Sequence, residues 1–176
     1  YHKQSTKNCR LVWIFYMNIK KRKFLENKSF WLRKSILTSA RQSGGKGAHL
    51  GGTMSCVDIL CYLYYNKVIK FNPRKPKWSK RDRILIGKGH AHLALYHIWS
   101  SLGFFNRKKI SEYGKNGTSL GVQLDIFTPG SEYNTGSLGH VIGVGTGIGL
   151  KSKIDKNKFK IYCLVGDGEC ESGSIW

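Results

Sequence analysis

The apolar run Ile161, Tyr162, Cys163, Leu164, Val165 opens directly into Gly166, Asp167, Gly168, Glu169. A short apolar run of this kind reads as a buried strand, here delivering one carboxylate between two glycines. In open α/β sheets ligands bind beyond the carboxyl ends of the strands, which puts Asp167 where a metal-bound diphosphate would lie. The flanking glycines let the backbone bend and let phosphate oxygens approach its amides closely. Taken alone, Gly-Asp-Gly equally describes a turn whose aspartate caps the next helix.

Four further blocks precede it: Gly47-Ala48-His49-Leu50-Gly51-Gly52, Arg81-Asp82-Arg83, Gly87-Lys88-Gly89-His90-Ala91 and Thr135-Gly136-Ser137-Leu138-Gly139-His140. In this order, the blocks resemble the thiamine-diphosphate-binding N-terminal part of the transketolase family, over about residues 33–176. The resemblance implies that Asp167 is the first protein ligand of a divalent metal, magnesium or else calcium or manganese, and that Gly166 and Gly168 lie against the cofactor. It implies that His90 faces the diphosphate and that His49 reaches the reacting end of the cofactor and the donor substrate. An imidazole there can exchange protons with hydroxyl and carbonyl oxygens near neutral pH. Gly136, Ser137 and Leu138 match a segment whose backbone contacts the aminopyrimidine ring. The plainer alternatives are a helix-capping role for His90 and a satisfied loop histidine at His49.

The resemblance also has gaps. Gln123, in Val122-Gln123-Leu124, stands where the family often has a donor-contacting histidine. Ser172-Gly173 stands where Glu-Gly is expected, with Glu171 one place early, and Val141 replaces a glycine. A second metal ligand, an asparagine, and the glutamate that protonates the aminopyrimidine belong to regions beyond these blocks. The resemblance therefore implies a transferase moving a two-carbon ketol unit between sugar phosphates in pentose phosphate metabolism. It would be competent only with a C-terminal region or partner subunit, as a homodimer or heterotetramer. The alternatives are a deoxyxylulose-phosphate synthase using pyruvate as donor, and an inactive truncated remnant or binding module.

Composition sets outer bounds. The 176 residues, 40% of them hydrophobic, suit one globular domain. With 30 Lys and Arg against 10 Asp and Glu, the net charge is +20. The basic residues fall in four stretches, 3–46, 67–88, 107–115 and 151–160, with no nucleic-acid-binding signature, so a lysine-rich solvated surface outweighs a nucleic-acid partner. Cys9, Cys56, Cys61, Cys163 and Cys170 form no Cys-x-x-Cys pair, which points to a reducing compartment, the cytoplasm. The apolar stretch 11–17 is far shorter than the roughly 20 residues that span a bilayer and lacks a secretory cleavage site. Residues 1–16 are expected to be a non-native or disordered leader, and residues 17–176 a partial diphosphate-side domain.

The elements that must position these residues follow from periodicity. Leu25, Leu32 and Ile36 recur at helical spacing within 24–41. Ser55 and Asp58 have the spacing of a capping box, and Val57, Leu60, Cys61 and Tyr64 mark one helical face after it. A short strand at 84–86 leads through Gly87–Gly89 into a helix over 90–102, and residues 114–137 read as a long loop. A helix over 138–150 must absorb five glycines, each costing roughly 1 kcal/mol against alanine unless close packing offsets it. The fold class expected is α/β, a mainly parallel sheet with helices on both faces, C-terminally truncated.

Overall fold

A computed structural model describes residues 18–44 and 48–176. The first helix, α1 (Ile19–Gln42), starts on Asn18, whose side chain accepts from the Lys20 amide at 2.9 Å. Leu25, Ser29, Leu32, Ile36, Ser39 and Ala40 form its buried stripe. This stripe packs on α3 (Val57–Tyr65), which follows the single turn α2 (Leu50–Met54). The face predicted for α3 is the one buried: Val57, Leu60, Cys61 and Tyr64.

The capping box does not form. Cys56 is the N-cap of α3 and makes no side-chain cap, Ser55 Oγ donates to the Gly52 carbonyl, and Asp58 takes a two-pronged hydrogen bond from Arg33 of α1 at 2.7 and 3.1 Å. An aspartate is too short to reach back well, and the guanidinium fork is the stronger partner.

Two strands, β1 (Arg83–Ile86) and β2 (Ile161–Leu164), pair in parallel, with Ile86 opposite Leu164. Side chains alternate across them. Ile84 and Ile86, with Tyr162 and Leu164, face a core built from α1, α3 and α4 (His92–Leu102). On the other face lies α5 (Val141–Ile154), where a Cβ at Gly145 would sit 2.6 Å from Cys163 Sγ and 3.4 Å from Leu85 Cδ1. That approach accounts for the glycine at 145. Helices thus cover both faces of a parallel sheet, an α/β architecture.

Arg81-Asp82-Arg83 is the clasp of this arrangement. Asp82 accepts from the backbone amides of Lys70 and Lys160, both at 2.8 Å, and so joins the connector before β1 to the one before β2. Arg81 and Arg83 converge on Glu132 at 2.5 and 3.5 Å, and the Tyr133 hydroxyl donates to the Ile86 carbonyl at 2.9 Å. The long loop, which carries no helix or strand over residues 114–137, is thereby stapled to β1.

The helix expected from His90 begins at His92, after a 3-10 turn at Gly89–Ala91, and the segment after Asp167 is a single 3-10 turn at Gly168–Glu171. Among the described residues no helix is long and apolar enough to cross a membrane. The expected leader, residues 1–16, lies outside the described residues.

Candidate functional site

Parallel pairing brings two turns side by side at the carboxyl edge of the sheet. The Gly87 amide continues the ladder by donating to the Leu164 carbonyl at 2.9 Å, so Lys88 and His90 emerge beside Gly166, Asp167 and Gly168. The two turns open into a cleft of about 390 Å³, lined by Lys88 and His90 on one side and by Asp167 and Gly168 on the other. Gly52, in α2, and Leu138, in the loop before α5, flank it.

His90 is held by its surroundings. Gly52 lies so close that any side chain there would overlap the imidazole, and the His49 ring stands 5.4 Å away, centroid to centroid. Burial, then the neighbouring His49 and Lys88, push the His90 pKa below the usual histidine range, against an opposing pull from Glu169. The imidazole is therefore neutral at pH 7, able to donate one hydrogen bond without carrying a desolvated charge. Lys88 supplies the fixed positive charge: its Nζ donates to Ser55 Oγ at 2.6 Å while lining the cleft.

Asp167 is exposed at the mouth of its turn. A Cβ at Gly51 or Gly168 would meet no protein atom within 4 Å, so both glycines leave open space where they line the cleft. Among the described residues no group of three or more His, Cys, Asp or Glu could hold a metal ion unaided. One carboxylate, an ammonium, a neutral imidazole and bare backbone instead line the cleft. The ammonium, imidazole and backbone amides can donate to phosphate oxygens, and the lone carboxylate can ligate a cation that brings most of its own oxygen ligands.

The predicted site residues therefore divide. Asp167, Gly166, Gly168, His90 and Leu138 share one cleft, and His49 adjoins it through His90. Gly136 and Ser137 are exposed just upstream of Leu138 and do not line it. Gln123 stays behind the first turn, its carboxamide oxygen against Gly89 beside the Thr135 side chain. His92 and His97 belong to the core, the first bonded to the Gly89 carbonyl and Tyr113 hydroxyl and the second to Ser39 Oγ.

Two residues of the site carry no prediction from the sequence, Lys88 and Glu169. Lys88 is one lysine in a chain full of them, and only its place inside Gly-Lys-Gly-His, after a strand, sets it apart. Glu169 is buried, 5% exposed, and accepts from two backbone amides: Gly139 to Oε1 at 2.8 Å and Gly166 to Oε2 at 3.0 Å. The signal for it is the set of glycines, at 87, 139 and 166, that open the three loops around it.

A family model described as "Transketolase, thiamine diphosphate binding domain" matches residues 34–175. The chain is 42% identical over 131 residues to an apulose-4-phosphate transketolase subunit of Phocaeicola vulgatus, covering 74% of this chain and 46% of that protein. It is 33% identical over 153 residues to "6-deoxy-6-sulfo-D-fructose transketolase subunit SqwG" of Clostridium sp., covering 86% and 54%. The crystal structure of transketolase from Campylobacter jejuni superposes with a TM-score of 0.75 at 26% identity, over 89% of this chain and 25% of that one. The chain thus spans about half the length of these curated relatives. With the match running from before His49 to beyond Asp167, the chain belongs to the transketolase family, and what it contains of that family is the thiamine diphosphate binding domain.

Proposed function

We propose that this chain is the diphosphate-side half of a transketolase-type enzyme, binding thiamine diphosphate together with a divalent metal. The observation that carries this reading is the convergence of Asp167, Lys88 and His90 on one cleft at the carboxyl edge of a parallel sheet. Asp167 would hold the metal, with magnesium the best match to a single carboxylate plus phosphate oxygens. Lys88 would offset the phosphate charge, and His90 would donate a neutral hydrogen bond to a phosphate oxygen. Gly166 and Gly168 would admit the diphosphate to backbone distance, and Gly136, Ser137 and Leu138 would present backbone to the aminopyrimidine ring. His49, beside His90, would handle protons on the substrate oxygens. When bound, thiamine diphosphate supplies an acidic thiazolium carbon that acts as the nucleophile towards a ketose.

The whole activity would be transfer of a two-carbon ketol unit, with sugar phosphates or similarly anionic ketoses as donors. Relatives that are named as single subunits of transketolases support a partner chain that completes the site. The assembly would be a homodimer or heterotetramer, and residues 17–176 would form the partial domain. Nothing in the cleft favours a pyruvate-using synthase. Cys56, Cys61, Cys163 and Cys170 are all free thiols, and burial raises the pKa of the first three, which fits a reducing cytoplasm.

Titration of the chain, together with its partner, with thiamine diphosphate tests the reading. Binding should require a divalent metal, reverse on adding a chelator, and weaken at least tenfold in Asp167→Ala. Binding indifferent to both chelator and Asp167 would overturn it.

A further inference from the structure

The Glu169 carboxylate has no part in holding the cofactor as just described, yet three loops of the site meet on it. Its Oε2 accepts the Gly166 amide three residues back and so closes the turn that presents Asp167. Its Oε1 accepts the Gly139 amide, 30 residues away, at the end of the segment bearing Leu138. Both oxygens fill the space in front of Gly87, where any side chain would collide with them, so the turn bearing Lys88 and His90 is seated on the same group. Gly139 is gripped from its other side as well. At φ +83° it takes a backbone conformation suited to glycine, and a Cβ there would strike the hydroxyls of Ser172 and Ser174, which bond each other at 2.9 Å.

A carboxylate is costly to bury, and this one has no Lys or Arg ion pair among the described residues. What satisfies it is backbone: two charge-assisted hydrogen bonds, one from its own turn and one from the end of the Leu138 segment. We propose that Glu169 is a positioning residue that holds the metal-side turn, the Leu138 segment and the His90 turn in a single arrangement, acting through their backbones without touching the cofactor. The inference rests on the functional reading above, since the common position of these loops matters to a ligand only if the cleft takes a metal-bound diphosphate. Glutamine at 169 would keep the volume but offer one acceptor oxygen, turning an amide donor against a backbone donor. Aspartate, one methylene shorter, would keep the charge and reach one loop at most.

The test compares Glu169→Gln and Glu169→Asp with the wild type in the intact enzyme. It reads three quantities: affinity for thiamine diphosphate at saturating magnesium, melting temperature without cofactor, and hydrogen exchange of peptides containing Gly139 and Gly166. The expected result is a loss of at least tenfold in affinity for Glu169→Gln, faster exchange at both glycines, and a cofactor-free melt that stays cooperative. Glu169→Asp should fall between it and wild type. A folded Glu169→Gln variant that binds within twofold of wild type would overturn the proposal, leaving Glu169 a packing residue only. Should that variant not fold, Glu169→Asp and the wild-type exchange decide: fast exchange at Gly139 or Gly166 in the wild type overturns the clamp. If the wild type itself fails to bind thiamine diphosphate, the functional reading falls, while the exchange data still judge the clamp.

Discussion

Two helices lead away from the cleft, and they are held in opposite ways. Helix α4 follows His90, and every residue from His92 to Ser100 is buried. The Trp99 indole donates to the Tyr64 hydroxyl at 2.7 Å, and His92 is bonded at both ring nitrogens. Helix α5 follows Leu138, yet only Val141, Gly145 and Ser152 are buried, and Leu150 and Ile154 are 58% and 76% exposed. The strands repeat the contrast, with β1 largely buried and β2 half-buried. The side of the site that offers Lys88 and His90 is fixed by the core, whereas the side that offers Leu138 depends on a few close contacts. A cofactor spanning both would meet one rigid wall and one wall located mainly by Gly145 against the sheet and by Glu169 against Gly139.

The contrast can be broken most severely in the core. Trp99→Ala should cost about 3–5 kcal/mol by urea denaturation, while Leu150→Ala on α5 should stay within about 0.5 kcal/mol. If the two costs proved equal, the two helices would not differ as described.

Acid should act first through the buried histidines of α4. Burial pushes the pKa of His92 and of His97 down to about 4, from 6.5. Between these limits the unfolded chain binds more protons than the folded one, so the stability present above pH 6.5 is lost as pH falls towards 4. By pH 5 the loss is about 2 kcal/mol per histidine. Denaturant midpoints at pH 7 and 5 measure it, and His97→Gln should flatten the dependence by about half.

The smallest effects sharpen the picture of α5. Gly145→Ala should destabilise by about 1–3 kcal/mol, because its methyl would press on Cys163 Sγ at 2.6 Å. Gly147→Ala, which meets nothing within 4 Å, should stabilise by about 0.5–1 kcal/mol. Opposite signs two residues apart, seen as shifts in melting temperature, would confirm that one face alone of α5 is packed.

Local rules made much of this legible. The 3.6-residue period found the buried face of α3, and apolar runs ending in glycine found both strands and so the edge where Asp167 and His90 meet. What stayed hidden is long-range. Ser55 and Asp58 have capping spacing, but Asp58 answers to Arg33, 25 residues away, and Ser55 to Lys88, 33 residues away. Glu169 closes the Gly-Asp-Gly-Glu run, but its second partner, Gly139, lies in another motif altogether. The glycines of α5 looked unfavourable by propensity, and only the approach of Gly145 to Cys163 explains one of them.

The clasp at Asp82 carries a kinetic consequence. It joins the connectors that lead into the two strands, and its bond to Lys160 closes 78 residues of chain. Closing so long a loop precedes any reward from parallel pairing, and contacts of this separation form slowly. The helices α1, α3 and α4, with their short connections, can assemble earlier. We expect β2 to dock last, so that the turn bearing Asp167 arrives on a wall that has already set.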